Sequence, residues 1–139
     1  MLIAWWLRLS GKPGGRWLFS RLLSRWVPYT GSIRPQVREL RPGYARITMS
    51  DRRAVRNHLH SIHAIALVNL GEVTSGLAMV TALQPGVRSI VTGLTVEFLK
   101  KARGTLEATC QCEIPAEITT HTDRVVVAEI ADLSRDVVA

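Results

Sequence analysis

Two cysteines are too few for a disulfide framework. Cys110 and Cys112 stand two apart in an expected strand, so both thiols face one way. They are expected as reduced core or surface thiols of a cytoplasmic protein, not as half a metal site. The chain has no Gly-rich phosphate loop and no serine-elbow motif. His58, His60 and His63 invite a metal reading, but no Cys or carboxylate completes a set at ligand spacing, and no metal is expected. Nucleotide-phosphate, serine-nucleophile and metal mechanisms are therefore disfavoured. Asp and Glu are missing from residues 1–38, where seven Arg and Lys fall. The other eleven basic residues are matched by all eleven acids, so the net charge of +7 belongs to the N-terminal segment. A nucleic-acid domain spreads its basic residues over a folded face, and no nucleic-acid partner is expected.

A secretory signal is not expected either. Met1 to Leu9 is apolar but short, Arg8 interrupts it, and no A-x-A-like cleavage site follows. All four Trp (Trp5, Trp6, Trp17, Trp26) fall in the first 26 residues. After the Gly11–Gly15 break, Arg16 to Trp26 reads as an amphipathic helix stopped by Pro28. Trp17, Leu18, Leu22 and Trp26 form one face, widened by Phe19 and Leu23; Arg16, Ser20, Arg21, Ser24 and Arg25 lie largely opposite. Two readings compete. The helix packs on the outside of the domain or on a second subunit, with a solvated Arg face. Or residues 1–26 make peripheral contact with a membrane, being basic, Trp-rich and free of acids. A mitochondrial transit peptide has a similar composition.

At 139 residues the chain is one domain by length, divided here into a helical segment at 1–30 and a main domain at 31–139. Ile33–Leu40 and Tyr44–Met49 read as strands joined by the Arg41-Pro42-Gly43 turn. From Ile62 to Leu83 the chain is largely apolar, without Pro, and apolar all round the helical wheel, which predicts a helix buried on every side. Asn69, Gly71, Glu72, Thr74, Ser75 and Gly76 interrupt it too much for a membrane span. Ser89–Lys100, Thr105–Ile114 and Arg124–Leu133 read as three further strands, with a slip near Gly93. An antiparallel sheet curled around the helix is the expected α+β arrangement.

Glu72 is the one charge inside that helix. A carboxylate there is costly unless it is paired, hydrogen-bonded or exposed to a cleft. Asn57, then His63, then Glu72 is a spacing that resembles the hotdog-fold acyl-CoA thioesterases, especially the phenylacetate-pathway type, and a related bacterial hotdog family of largely uncharacterised function. Those proteins carry an Asn, a short loop, a His-Gly-Gly turn opening the central helix, and an acid nine residues after the His. Val96 to Gly104 is similar to the family's strand ending in an Arg-Pro-Ala-like turn, and Ala128–Asp132 to its strand ending in Asp. The likeness covers roughly Ile33 to Ala139.

The resemblance implies a hotdog fold, a sheet wrapped around a long central helix, with the amphipathic helix added at the N-terminus. It implies hydrolysis of a fatty or aromatic acyl-CoA in a homodimer or dimer of dimers, with coenzyme A present only as part of the substrate. Glu72 takes the acidic role and Asn57 orients water or the thioester carbonyl. His63 opens the helix, and the backbone N–H groups of Ala64 and Ile65 form the oxyanion site. His58, His60 and Ser75 are candidates for contact with substrate, and Arg88, Lys100, Lys101 and Arg103 for the phosphates of coenzyme A. The family's Gly-Gly is Ala64-Ile65 here, which crowds the approach. The family's last strand is expected to be missing after Asp132–Asp136, or another element covers that edge.

Bland readings stand beside these. Glu72 is a core carboxylate bonded to Asn69, Thr74 or Ser75; Asn57 caps a turn; each basic side chain is a solvated rim. The rival activities are a hydratase or dehydratase of acyl thioesters using His63 with Glu72, and non-catalytic acyl-CoA or membrane binding.

Overall fold

A computed structural model of the chain describes residues 2–139. Three helices come first: α1 (Leu2–Ser10), α2 (Gly15–Trp26) and the short α3 (Pro28–Gly31). Strands β1 (Gln36–Arg41) and β2 (Tyr44–Met49) follow, then a 3-10 turn at Arg53–Val55, the long helix α4 (Ala64–Ala82), and strands β3 (Leu106–Gln111) and β4 (Ala128–Asp132). The four strands form one antiparallel sheet in the order β1-β2-β3-β4.

Alternation builds the inner face of the sheet. Ala45, Ile47 and Met49 of β2 pair with Cys110, Ala108 and Leu106 of β3, and Ala108 pairs with Ile130 of β4. All seven are buried, and α4 lies across them, contributing Leu67, Leu70, Val73, Leu77 and Ala78 to the same core. At the β1–β2 hairpin Gly43 has φ of +77°, and a Cβ there would stand 2.5 Å from the Cys112 carbonyl oxygen, so only glycine fits. The one register shift lies between Val37 and Glu39 in β1.

The first hairpin and the central helix match their predicted spans closely. The strand expected at Ser89–Lys100, with its slip near Gly93, does not form: this stretch is irregular, and among its main-chain groups only the Leu99 N–H, near its end, bonds to another segment among the described residues. Its apolar residues therefore stay in solvent, Ile90 being 84% exposed. The strands expected at Thr105–Ile114 and Arg124–Leu133 shrink to the lengths over which a neighbour is available, so Val125 and Val127 are also exposed. Beyond β4 the chain turns back: Val138 N–H donates to Ile130 O at 2.8 Å, Ile130 N–H to Ala139 O at 2.7 Å, and Leu99 N–H to Val138 O at 3.0 Å. The last residues thus cover the β4 edge from Ile130 to Asp132.

A second correction concerns α4. Its wheel is apolar all round, but the sheet is open and covers one side only. Ile65 and Val80 are 52% and 45% exposed, and Ala64, Val68, Glu72, Ser75 and Met79 are half-buried on the same side. By length and composition α4 alone among the described helices would suffice to cross a membrane, yet its other side is packed into the core.

The N-terminal helices add to that core through Trp6, Phe19 and Leu23. Trp6 meets Phe19 edge to face, ring centres 5.2 Å apart. The helix predicted at Arg16–Trp26 is present, but its expected apolar face points outward. Gly15, Phe19, Ser20 and Leu23 pack inward, whereas Trp17, Leu18, Leu22 and Trp26 are exposed beside Arg21 and Arg25. The seam is set by the buried Ser20. Its Oγ donates to Arg16 O at 2.8 Å and accepts from the Val37 N–H at 2.9 Å, tying α2 to the outer edge of β1. Ser20→Ala orphans that buried N–H, so a loss of about 1–3 kcal/mol in unfolding free energy is expected from denaturant titration; an unchanged midpoint would mean that water satisfies Val37.

The two cysteines form no disulfide with each other. Both are free, Cys110 is buried, and burial pushes its thiol up to about 11.

Candidate functional site

A tight turn precedes α4, and its residues are held from three directions. Arg56 bridges Ile62, Asn57 N–H donates to Ser61 O at 2.8 Å, and His60 takes a left-handed φ of +55°. Ile62 N–H then reaches Ala102 O, and His63 N–H reaches Val55 O, each at 2.8 Å. Asp51 fixes the surroundings. Its carboxylate accepts from Arg56 Nε at 2.6 Å and from Gly104 N–H at 2.9 Å. The Arg56 hydrogen bond holds the Asp51 carboxyl below its ordinary value. Sequence reasoning missed Asp51; its one signal was an acid heading the basic loop to Arg56.

Asn57 is the hub of this turn. Its Oδ1 accepts from Leu59 N–H at 2.9 Å, Ser61 N–H at 3.2 Å and Ser61 Oγ at 3.1 Å. The turn-capping role is therefore real, and it consumes the oxygen end of the side chain. The amide NH2 makes no bond within the chain among the described residues, so its two donors are available to a substrate. His58 and His60 are exposed on the same turn.

His63 caps α4. Its Nδ1 accepts from the Ile65 N–H at 3.1 Å, which puts the neutral ring's proton on Nε2, toward solvent. This bond has a cost for chemistry: the Ile65 N–H, an expected oxyanion donor, is already taken. The Ala64 N–H is not bonded within the chain among the described residues. It is one of the orphan donors of a helix start and lies at the positive end of the helix dipole.

Glu72 stands two turns further along the half-covered side of α4. It forms no ion pair and no side-chain hydrogen bond among the described residues, and burial alone raises its carboxyl above the ordinary value. The partners proposed for a structural carboxylate are all engaged elsewhere. Asn69 Nδ2 donates to Tyr29 O, Thr74 Oγ1 to Leu70 O, and Ser75 Oγ to the main-chain oxygen of Glu72. An unpaired, partly desolvated carboxylate in apolar surroundings is more basic than one in water. Asn69 was also missed as a buried polar group; its Oδ1 accepts no hydrogen bond among the described residues.

The expected phosphate-binding cations divide. Lys101 and Arg103 flank Ala102, whose carbonyl meets Ile62, so both lie beside the Asn57 turn and are exposed. Lys100 is committed to Asp132 at 2.9 Å and Asp136 at 2.6 Å and locks the final turn. Arg88 follows the Pro85-Gly86 turn beyond the other end of α4, a helix about 28 Å long.

Residues 15–139 match the family described as Domain of unknown function (DUF4442). A solved structure reported as genomics APC5556 is 33% identical over 99% of this chain and 90% of its own, with a TM-score of 0.76. A Pseudomonas aeruginosa protein of unknown function, called a probable thioesterase, is 20% identical over 86% of this chain and 85% of its own, TM-score 0.71. The E. coli PaaI protein from the phenylacetic acid degradation operon is 19% identical over 88% of this chain and 86% of its own, TM-score 0.66. The fold is thus the hotdog fold, a helix packed on an antiparallel sheet. No curated protein matches the chain.

Proposed function

The chain belongs to the DUF4442 family, and we propose that it is a thioesterase hydrolysing a fatty or aromatic acyl-CoA. The observation that carries this reading is the Glu72 carboxylate, unpaired among the described residues, on the half-covered side of a helix whose first N–H has no partner among them. Thioester hydrolysis requires a base or nucleophile near a donor for the developing oxyanion. Glu72, made more basic by burial, serves as the first. The Ala64 N–H, aided by the helix dipole, serves as the second, and the Asn57 NH2 orients the carbonyl or the water. The Pseudomonas aeruginosa structure of the same fold, called a probable thioesterase, supports the class of reaction but not the substrate.

The active unit is proposed to be a dimer. Eight residues separate Ala64 from Glu72, about 12 Å along the axis, and a Glu side chain leaning toward its own N-terminus spans only part of that. One carbonyl cannot lie about 3 Å from both within a single helix. Two antiparallel copies of α4 related by a two-fold axis near Val68, midway between them, bring Glu72 of one copy to Ala64 of the other. The same contact covers the exposed Ile65 side of α4, and the exposed Ile90–Leu99 segment offers further apolar surface to a partner. Lys101 and Arg103, beside the turn, then suit the phosphates of coenzyme A.

The reading is tested with short, long and aromatic acyl-CoAs, following free thiol release, with enoyl- and hydroxyacyl-CoA as controls for hydration chemistry. Thiol release with at least one acyl class is expected. Binding of every acyl-CoA without thiol release would sink the hydrolase and leave a binding module.

A further inference from the structure

The outward face of the N-terminal helices serves neither the core nor the Glu72 site. Trp17 and Trp26 are 59% and 63% exposed on α2, and Trp5, Leu7 and Tyr29 are also exposed in the N-terminal segment. Soluble monomers rarely leave so many large apolar side chains together in water. The charge is as one-sided as the hydrophobicity. None of the seven Arg and Lys in residues 1–38 forms an ion pair among the described residues.

Four arginines line one groove. Arg21, Arg25, Arg34 and Arg52, with Trp17 and Leu22, line a groove of about 770 Å³ beside α2 that has no acidic residue in its wall. The Arg21 guanidinium lies 5.8 Å from the centre of the Trp17 ring, and Arg52 donates to Ser32 O. Burial and, after it, the nearby Arg34 charge disfavour the charged form of Arg52.

We propose that this face docks on an anionic phospholipid bilayer, with the Trp and Leu side chains in the interfacial layer and a headgroup phosphate in the arginine groove. The pairing follows from both halves of the surface. Trp favours the membrane interface, and arginine forks a phosphate with two donors. A second copy of the chain is a poor occupant, because a two-fold contact would set the arginine cluster against itself. A free anion would account for the groove but not for the exposed Trp.

The test uses the full chain and vesicles of phosphatidylcholine with and without phosphatidylglycerol, read by co-sedimentation and Trp emission. Binding with a blue shift is expected on the anionic vesicles only, weakening as salt rises. Arg21→Glu with Arg25→Glu is expected to reduce partitioning at least about tenfold while the circular dichroism spectrum stays native. Trp17→Ser with Trp26→Ser should reduce it by a similar factor without removing a charge. Failure to bind anionic vesicles overturns the proposal. So does binding that ignores the charge reversal, a self-association that the Trp pair abolishes, or tight capture of inorganic phosphate with no vesicle binding.

Discussion

Glu72→Gln is expected to reduce kcat/KM for acyl-CoA hydrolysis by about 10²–10⁴-fold, the usual worth of a positioned general base. Gln keeps the shape and can hydrogen-bond, but it cannot accept the proton of the attacking water or attack the carbonyl. The same variant should be more stable than the parent at neutral pH. Burial raises the folded-state carboxyl above its ordinary value of 4.5, so the folded protein holds this proton where the unfolded chain has released it. Ionisation therefore favours the unfolded chain from about pH 4.5 upward, and the penalty grows until pH passes the folded-state value. Below pH 4 both states carry the proton and the penalty vanishes. The Tm of Glu72→Gln should accordingly exceed that of the parent at pH 7 and converge with it at pH 4. A lower Tm at pH 7 would mean that a partner group stabilises the carboxylate. Unchanged turnover would put the chemistry at another residue.

That trade of stability against activity was partly legible in the chain. A single acid inside a long apolar run announces itself, because nothing local offsets its desolvation. The β1–β2 hairpin was legible too, since Pro42 and Gly43 set backbone angles that few other residues adopt. Features that depend on distant partners were not. Ser89–Lys100 has alternation suited to a strand, yet pairing needs a neighbour, and only Leu99 at its end finds one, in Val138. The α4 wheel says apolar all round, but how far the open sheet wraps it is a property of the sheet. On α2 both Phe19 and Trp17 are large and apolar; Ser20 reaching Val37 decides which turns inward, and that bond spans 17 residues. At the site, Glu72 and the start of α4 came from pattern. The loss of Ile65 as a donor to His63, and of Lys100 to Asp132 and Asp136, depends on rotamers and a fold-back invisible to spacing.

Ala64→Pro isolates the oxyanion donor, and a loss of about 10²–10³-fold in kcat is expected from it. Proline removes one N–H, and at the first helical position that N–H has no partner in the helix to lose. The local backbone suits the change. His63 has φ of −65° and ψ of 138°, the extended form that a residue before proline adopts. The His63 carbonyl still accepts from Ala66 and Leu67, and the His63 ring still caps Ile65, so Tm should stay within a few degrees of the parent. A full loss of helix would contradict this, and retained turnover would pass the oxyanion to the Asn57 amide. The two inactive variants together test whether the site is shared. In a mixed dimer of Glu72→Gln and Ala64→Pro, a shared arrangement puts both defects in one site and leaves the other intact. Co-refolding equal amounts should then restore roughly one quarter of the parent activity, because about half the dimers are mixed and each has one good site. A site built within one chain has a defect in every copy, so mixing restores nothing. The eight-residue spacing of Ala64 and Glu72 on one rigid helix favours the first outcome, since only a second helix running the other way closes that distance.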